Sequence, residues 1–237
     1  MRVTVTSSAR NAGYAAHRCV ESVRLQTHQV LRHIFIDADS TDDTLTNAVQ
    51  ATHLDPRFDI RRAPERRNAL QNLLPVWREL PADEVVAWVD GDDWLAIDKA
   101  LEFIAGFHEH GALVTFGQFM STDGEMGFAG PVGPNPRHEP WRATHLKTFR
   151  AGLVQRMRPS DFDIYKDGEA WGAWDQLIML ACLEMAAERA VYIPRLLYCY
   201  NTAHSFMMNA PPEEQRREQL AVRRIRALPR YERAVWP

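Results

Sequence analysis

Three carboxylates fall within four residues at Asp90-Gly91-Asp92-Asp93. Placed so close together, they repel one another unless a proton or a cation lies among them. Hard oxygen donors of this kind suit Mg2+ or Mn2+, ions that in turn bridge phosphates. Gly91 allows close approach of a ligand or of backbone. If the preceding strand persists, alternation sends Asp90 and Asp92 to the same side. The competing reading is an acidic turn that caps the next helix. A second acidic run, Asp37-Ala38-Asp39-Ser40-Thr41-Asp42-Asp43, is either a ligand site or a helix N-terminus, and Asp39, Ser40, Asp42 and Asp43 all suit the latter. It is not a calcium loop. The glycine needed at the sixth position is missing, and Ala48 stands where a glutamate is required. Cys19, Cys182 and Cys199 have no metal-ligand spacing and cannot all pair. Their apolar or helical surroundings suggest buried thiols in a reducing compartment, the cytoplasm.

The elements that would position these groups alternate through the first half. Strand patterns cover 3–6, 31–36, 58–61 and 85–89. Helix patterns cover 14–25 (Ala15, Cys19, Val20 and Val23 inward), a segment running from the acidic run to about 51, 65–74 ending near Pro75, and 97–108. This alternation predicts an α/β fold, a mainly parallel sheet with helices on both faces. Ligands of such sheets bind at the carboxyl ends of the strands, which points to 7–11, 37–39 and 90–93. The second half is less regular. Residues 123–140 are rich in Gly and Pro and read as a long loop, a type that usually shapes or covers a site. Helices are expected at 143–156, at 174–187 (apolar nearly all round, hence buried) and at 212–228 (amphipathic), with a strand at 191–200.

The chain has 237 residues, 46% of them hydrophobic and 25% charged. This is enough to bury a core without staples. No signal-peptide pattern opens it, and no apolar run reaches the roughly 18 residues of a membrane span. The net charge of −3 hides an asymmetry. Seven arginines (216, 217, 223, 224, 226, 230 and 233) stand against two glutamates between Gln215 and Arg233, a net +5 that leaves −8 on the remainder. A basic tail on an acidic body suggests an anionic partner, or simply a solvated helix face.

Several stretches together resemble family-2 glycosyltransferases. Thr6-Ser7-Ser8-Ala9-Arg10-Asn11-Ala12 through Glu21-Ser22-Val23-Arg24-Leu25-Gln26-Thr27 looks like the family's opening strand, loop and helix. Ile36-Asp37-Ala38-Asp39-Ser40-Thr41-Asp42-Asp43-Thr44 is similar to its acidic stretch after the second strand. Arg67-Asn68-Ala69-Leu70 resembles its "RN" helix, and Val89-Asp90-Gly91-Asp92-Asp93-Trp94-Leu95 its DxD segment. Further matches to a subgroup lie at His145-Leu146-Lys147-Thr148-Phe149-Arg150, Trp174-Asp175-Gln176, Leu183-Glu184-Met185-Ala186 and Leu197-Tyr198-Cys199-Tyr200-Asn201. Two departures stand out. The family's adjacent aspartates are interrupted by Ala38, and its late acidic pair is reduced here to Asp175.

The resemblance implies a GT-A fold, Rossmann-like. A single domain would span 1–211, with a nucleotide-sugar half (1–110) and a less regular acceptor and catalytic-base half (111–211), followed by a basic C-terminal helix and tail (212–237). It implies an inverting, metal-dependent transfer from a nucleotide-sugar, a UDP-sugar, to an acceptor hydroxyl. The donor would be met by Ser7, Ala9, Arg10, Asn11, Asp37, Asp39, Arg67, Asp90, Gly91 and Asp92. Mn2+ or Mg2+ would be held by Asp90, Asp92 and His204, with Asp93 either a further ligand or a helix cap. Asp175 would be the general base, since an acceptor hydroxyl needs a carboxylate to take its proton as the bond forms. Trp171, Trp174 and His145 would face the acceptor, and Lys147 and Arg150 are anion candidates on the expected helix. The favoured acceptor is a saccharide or glycan. The alternatives are a hydroxylated DNA base, with the terminal arginines tracking phosphates, and a non-catalytic nucleotide-sugar or nucleic-acid binding module.

Overall fold

The β-branched run at the start of the chain forms a central, buried strand. In the computed structural model, which describes residues 1–203 and 210–236, β1 (Val3–Ala9) pairs in parallel with β2 (Leu31–Asp37) on one side and with β4 (Val85–Trp88) on the other. β3 (Phe58–Arg62) adds a parallel edge to β2. Helices α1 (Tyr14–Arg24), α2 (Thr44–Ala51) and α3 (Ala69–Glu79) make the crossovers. The sheet then continues through β7 (Lys147–Arg150), β6 (Val114–Ser121), β8 (Ala190–Tyr200) and the short β5 (Trp94–Leu95), giving the order β3-β2-β1-β4-β7-β6-β8-β5. β7 runs antiparallel to both β4 and β6, while β8 runs parallel to β6.

Each face of the sheet has its own core. On one, Val5, Phe35 and Ala87 pack with Cys19, Val20 and Val23 of α1 and with Leu101 and Ile104 of α4 (Ala100–Glu109). On the other, Val86, Trp88 and Phe149 meet Leu73 and Trp77 of α3, Leu153 of α5 (Ala151–Gln155), the apolar helix α6 (Trp174–Ala186), and Ala221 and Ile225 of α7 (Pro212–Ala227).

Two expectations are corrected. Residues 143–156 are not one helix. Lys147-Thr148-Phe149 form a buried strand in the middle of the sheet, where pairing with β4 outweighs local propensity, and only Ala151–Gln155 coil. Pro75 does not end α3. The helix starts later, at a capping box between Asn68 and Gln71, and runs through Pro75 to Glu79. The part beyond the proline is held by Trp77, which is buried and donates its indole N–H to Thr6 Oγ1 at 2.9 Å. Residues 123–140 lack regular strand or helix apart from a 3-10 turn at Pro136–His138, as a Gly/Pro-rich loop should. No helix among the described residues is long and apolar enough to cross a membrane. Cys19 and Cys182 are buried, Cys199 is half-buried, and all three are free.

Candidate active site

The carboxyl ends of β1, β2 and β4 lie side by side, and the loops leaving them interlock. Asn11, in the left-handed region at φ 52, donates its N–H to Ser40 Oγ at 2.9 Å and accepts from Thr41 N–H at 2.9 Å. Asp42 accepts from Gly13 and Thr44, so part of the acidic run serves the turn into α2, as the capping alternative required. Asp39, also left-handed at φ 58, pairs with Arg62 at 2.8 Å. Asp37 behaves differently. It is wholly buried at the end of β2, its Oδ2 accepts from Ser40 N–H at 3.2 Å, and its Oδ1 has no partner. A buried carboxylate oxygen without a donor points to a missing one.

Not every expected donor-side residue faces outward. Ser7 is turned into the sheet, 3.0 Å from His33 Nε2, where burial keeps that imidazole uncharged. Arg67 pairs with Glu65 at the surface, and Arg10 is exposed. Ala9 and Gly91 are explained by packing. A Cβ on Gly91 would come within 2.7 Å of Ala9 Cβ and 3.0 Å of the Ser8 carbonyl, because Gly91 N–H bonds that carbonyl at 3.2 Å.

After Val89 the chain turns rather than continuing as a strand, with Asp93 N–H on Asp90 O at 3.0 Å. The alternation expected for Asp90 and Asp92 therefore does not apply. The turn brings together Asp90, Asp93 and His145, whose donor atoms all lie within 4.8 Å of one another. Asp93 is buried and accepts from Tyr198 O–H and from Asn201 N–H, both at 2.7 Å. The same tyrosine oxygen accepts from Asp90 N–H at 3.0 Å, and Asn201 Nδ2 donates to Asp92 O at 3.1 Å. The end of β8 thus braces the whole turn. His145, placed just before β7, stacks on Tyr198 with centroids 4.5 Å apart. Its Nδ1 is buried without a hydrogen-bond partner, 3.8 Å from Asp90 Oδ2. Burial, then the Lys147 charge, hold this imidazole well below its usual range, so it is neutral and free to donate a lone pair. Burial, then the neighbouring aspartates, raise Asp93 well above the ordinary carboxylate range. Asp92, pushed up to about 7 by burial and Asp90, stands outside the trio. A trio of two carboxylates and a neutral imidazole fits a divalent cation, whose charge would relieve the crowding. His204 lies outside the described residues.

Lys147 is 2% exposed, 3.8 Å from Asp90 Oδ2 and 4.4 Å from the centre of the Trp88 ring. It sits on a strand inside the site rather than on a helix. Arg150, at the other end of β7, bonds the carbonyls of Asp83 and His108, away from the carboxylate cluster, and is no part of an anion site. Lys147 also acts on Asp175. Burial raises the Asp175 carboxyl, Lys147 opposes this, and Asp90 adds to it, so the three charges share one neighbourhood. Asp175 opens α6 without capping it. The N-cap is Ala173, left-handed at φ 51, a conformation that costs an alanine about 1–2 kcal/mol. Trp171 and Trp174 meet edge to face at 4.8 Å beside it.

Reading the sequence missed the pairing of Asp93 with His145 and the bracing role of Tyr198 and Asn201. The quoted stretch Leu197–Asn201 contained the signal, but which of its side chains turn inward depends on the packing of β8.

A family model for glycosyl transferase family 2 matches residues 5–166. No curated protein matches the chain. Among solved structures, S. aureus TarS superposes with a TM-score of 0.64 at 17% identity, over 93% of this chain and 42% of that one. TarS 1-349 in complex with UDP-GlcNAc gives 0.63 at 17%, over 89% and 61%. The mannosyltransferase PcManGT from Pyrobaculum calidifontis, in complex with GDP-Man and Mn2+, gives 0.60 at 18%, over 84% and 56%. The chain thus spans less than half the length of full TarS.

Proposed function

Because this chain belongs to glycosyl transferase family 2 and has its GT-A fold, we propose that it is a metal-dependent inverting glycosyltransferase, moving a sugar from a UDP-sugar to a hydroxyl of a saccharide or glycan. The observation that carries this reading is the convergence, at adjoining strand ends, of the Asp90–Asp93–His145 trio with the partnerless Asp37 oxygen. Asp37 Oδ1, buried without a donor, would accept the imide N–H that uracil offers and cytosine lacks. The UDP-GlcNAc complex of the TarS fragment supports the same donor class. Asp90, Asp93 and His145 would hold Mn2+ or Mg2+, with Asp92 adjoining. When bound, such an ion supplies charge neutralisation at the leaving diphosphate.

Asp175 is the base. Burial makes it a stronger proton acceptor than an exposed aspartate, and the nearby Lys147 works against that rise. It takes the acceptor hydroxyl's proton as the oxygen bonds to the anomeric carbon. The nucleoside diphosphate leaves from the opposite face, so the anomeric configuration inverts. Trp171 and Trp174 form an apolar wall suited to stacking a sugar ring. The free cysteines support a cytoplasmic site of action. A DNA acceptor has lost its motive, because most of the terminal arginines bond to the protein itself.

The test is a thermal-shift screen of UDP, GDP, CDP, ADP and TDP, each with and without Mn2+. UDP should stabilise the protein only with metal, by about 2.7 kcal/mol at a hundredfold excess over Kd. His145→Ala should remove the metal dependence. If no nucleotide shifts the wild-type protein, the donor site is wrong.

A further inference from the structure

The strand next to the carboxylate turn brings a cation of the protein's own. The Lys147 ammonium stands 3.8 Å from Asp90 Oδ2, and His145 Nδ1 stands 3.8 Å from the same oxygen. Lys147 also lies 4.4 Å from the centre of the Trp88 ring. Its side chain is 2% exposed, against 32% for Asp90, so the lysine is sunk in the fold while the carboxylate reaches solvent. A buried ammonium is unfavourable unless its N–H groups are taken up. Another buried ion pair of this protein meets that demand: Arg137 donates to both Glu184 oxygens, at 2.8 and 3.0 Å. Lys147 does not. Its contact with Asp90 is beyond hydrogen-bond reach, and it donates to no described residue. An ammonium carries three donors. Left unspent beside the carboxylates, they suit an anionic ligand.

We propose that Lys147 is a fixed cation of the donor site, which neutralises Asp90 before a divalent ion arrives and holds a phosphate oxygen of the nucleotide donor. The inference rests on the donor and metal reading above. Both halves follow from one charge. An ion on Asp90 becomes a neighbour of the ammonium, and like charges repel, so Lys147 weakens the bare site for metal. The donor's diphosphate is attracted by the same ammonium through charge-assisted hydrogen bonds, so Lys147 strengthens the hold on the nucleotide. The bare site therefore takes up metal reluctantly, and the loaded site grips the donor with two cations.

Two affinities test this without any turnover: Mn2+ for the nucleotide-free protein, read by loss of the free-ion EPR signal, and UDP at saturating Mn2+, read by calorimetry. Lys147→Met should tighten Mn2+ about tenfold and weaken UDP about tenfold. Lys147→Arg keeps the charge and should leave both near wild type. The opposite signs separate the proposal from a structural role, since a loosened site loses both affinities together. Two shifts in the same direction, or none, overturn it. Should Lys147→Met fold poorly, the wild-type protein still gives an answer. Its Lys147 13Cε NMR signal should move when UDP is added with Mg2+ in place, and an unmoved signal overturns the proposal as well. If the wild-type protein binds neither Mn2+ nor UDP, the donor-site reading falls and takes this inference with it. If wild type binds both and Lys147→Met binds them equally well, the inference alone falls.

Discussion

Asp175 illustrates how much a single position depends on its surroundings. Its carboxylate is half-buried and opposed by Lys147, and Ala173 sets its direction from a left-handed turn. Asp175→Asn keeps the shape and removes the proton acceptor, so turnover should fall by about 10²–10⁴ while the UDP-induced thermal shift is kept. Equal loss of both would mean a structural role instead. Asp92 makes a separate prediction. In the folded chain its carboxyl keeps a proton up to about pH 7, whereas in the unfolded chain it loses it near about pH 4. The native state therefore binds the extra proton, and stability falls as pH rises between those values. Asp92→Asn should flatten that decline in the urea midpoint of the metal-free protein; an unaltered slope would refute the assignment. Asp90 stood out in the sequence as a candidate ligand, and it lies in the trio with Asp93 and His145. The preference for Asp92 over Asp93 assumed a continuing strand, and the turn after Val89 removed that assumption.

At the scale of elements, the loop at 123–140 and the terminal helix are joined through one buried pair. Arg137, from the 3-10 turn inside residues 123–140, forks onto Glu184 of α6 at 2.8 and 3.0 Å and donates to the Ile225 carbonyl of α7 at 2.6 Å. Glu184 also accepts from Tyr231 N–H at 3.0 Å. Removing one member strands a charge in the core. Arg137→Met should cost about 3–5 kcal/mol in urea unfolding, and adding Glu184→Leu should recover much of it. A near-neutral single variant would show that the loop does not depend on this clasp. The loop itself was legible from its Gly and Pro content. Its anchoring was not, because a lone arginine among prolines carries no periodic signal. β7 was misread for a related reason: residues 147–150 are too short for alternation to declare them, and only β4 and β6 on either side make them a strand.

For the molecule as a whole, the excess of arginine near the C-terminus is mostly engaged. Arg217, Arg224, Arg226 and Arg230 donate to carbonyls of the body, and Arg224 and Arg233 pair with Asp167, Glu169 and Glu188. Arg216 forms an exposed pair with Glu213 on its own helix, which leaves Arg223 without an ion pair among the described residues. The intact protein should therefore bind duplex DNA no more tightly than about 100 μM at ~150 mM salt, measured by fluorescence anisotropy. Low-micromolar binding that weakens steeply with salt would restore the polynucleotide acceptor. The positive charge of the tail was plain in the composition. That it faces acidic residues and carbonyls of the same chain became visible only once α7 was docked, with Ala221 and Ile225 in the core.

The sequence by itself determined the alternating first half, the parallel strands β1 to β4 and the three strand ends where ligands gather, because those follow from local periodicity and from the common rule for such sheets. It also singled out Asp37, Asp90 and Asp175. Tertiary structure alone decided which partners these groups have: His145 and Asp93 grouped with Asp90, and Lys147 3.8 Å from the Asp90 carboxylate. Lys147 opens β7 and His145 lies just before it, far along the chain from Asp90. The physical reason is that charge, burial and proton affinity at a site are set by what packs around it, and packing between distant segments leaves no mark in local spacing.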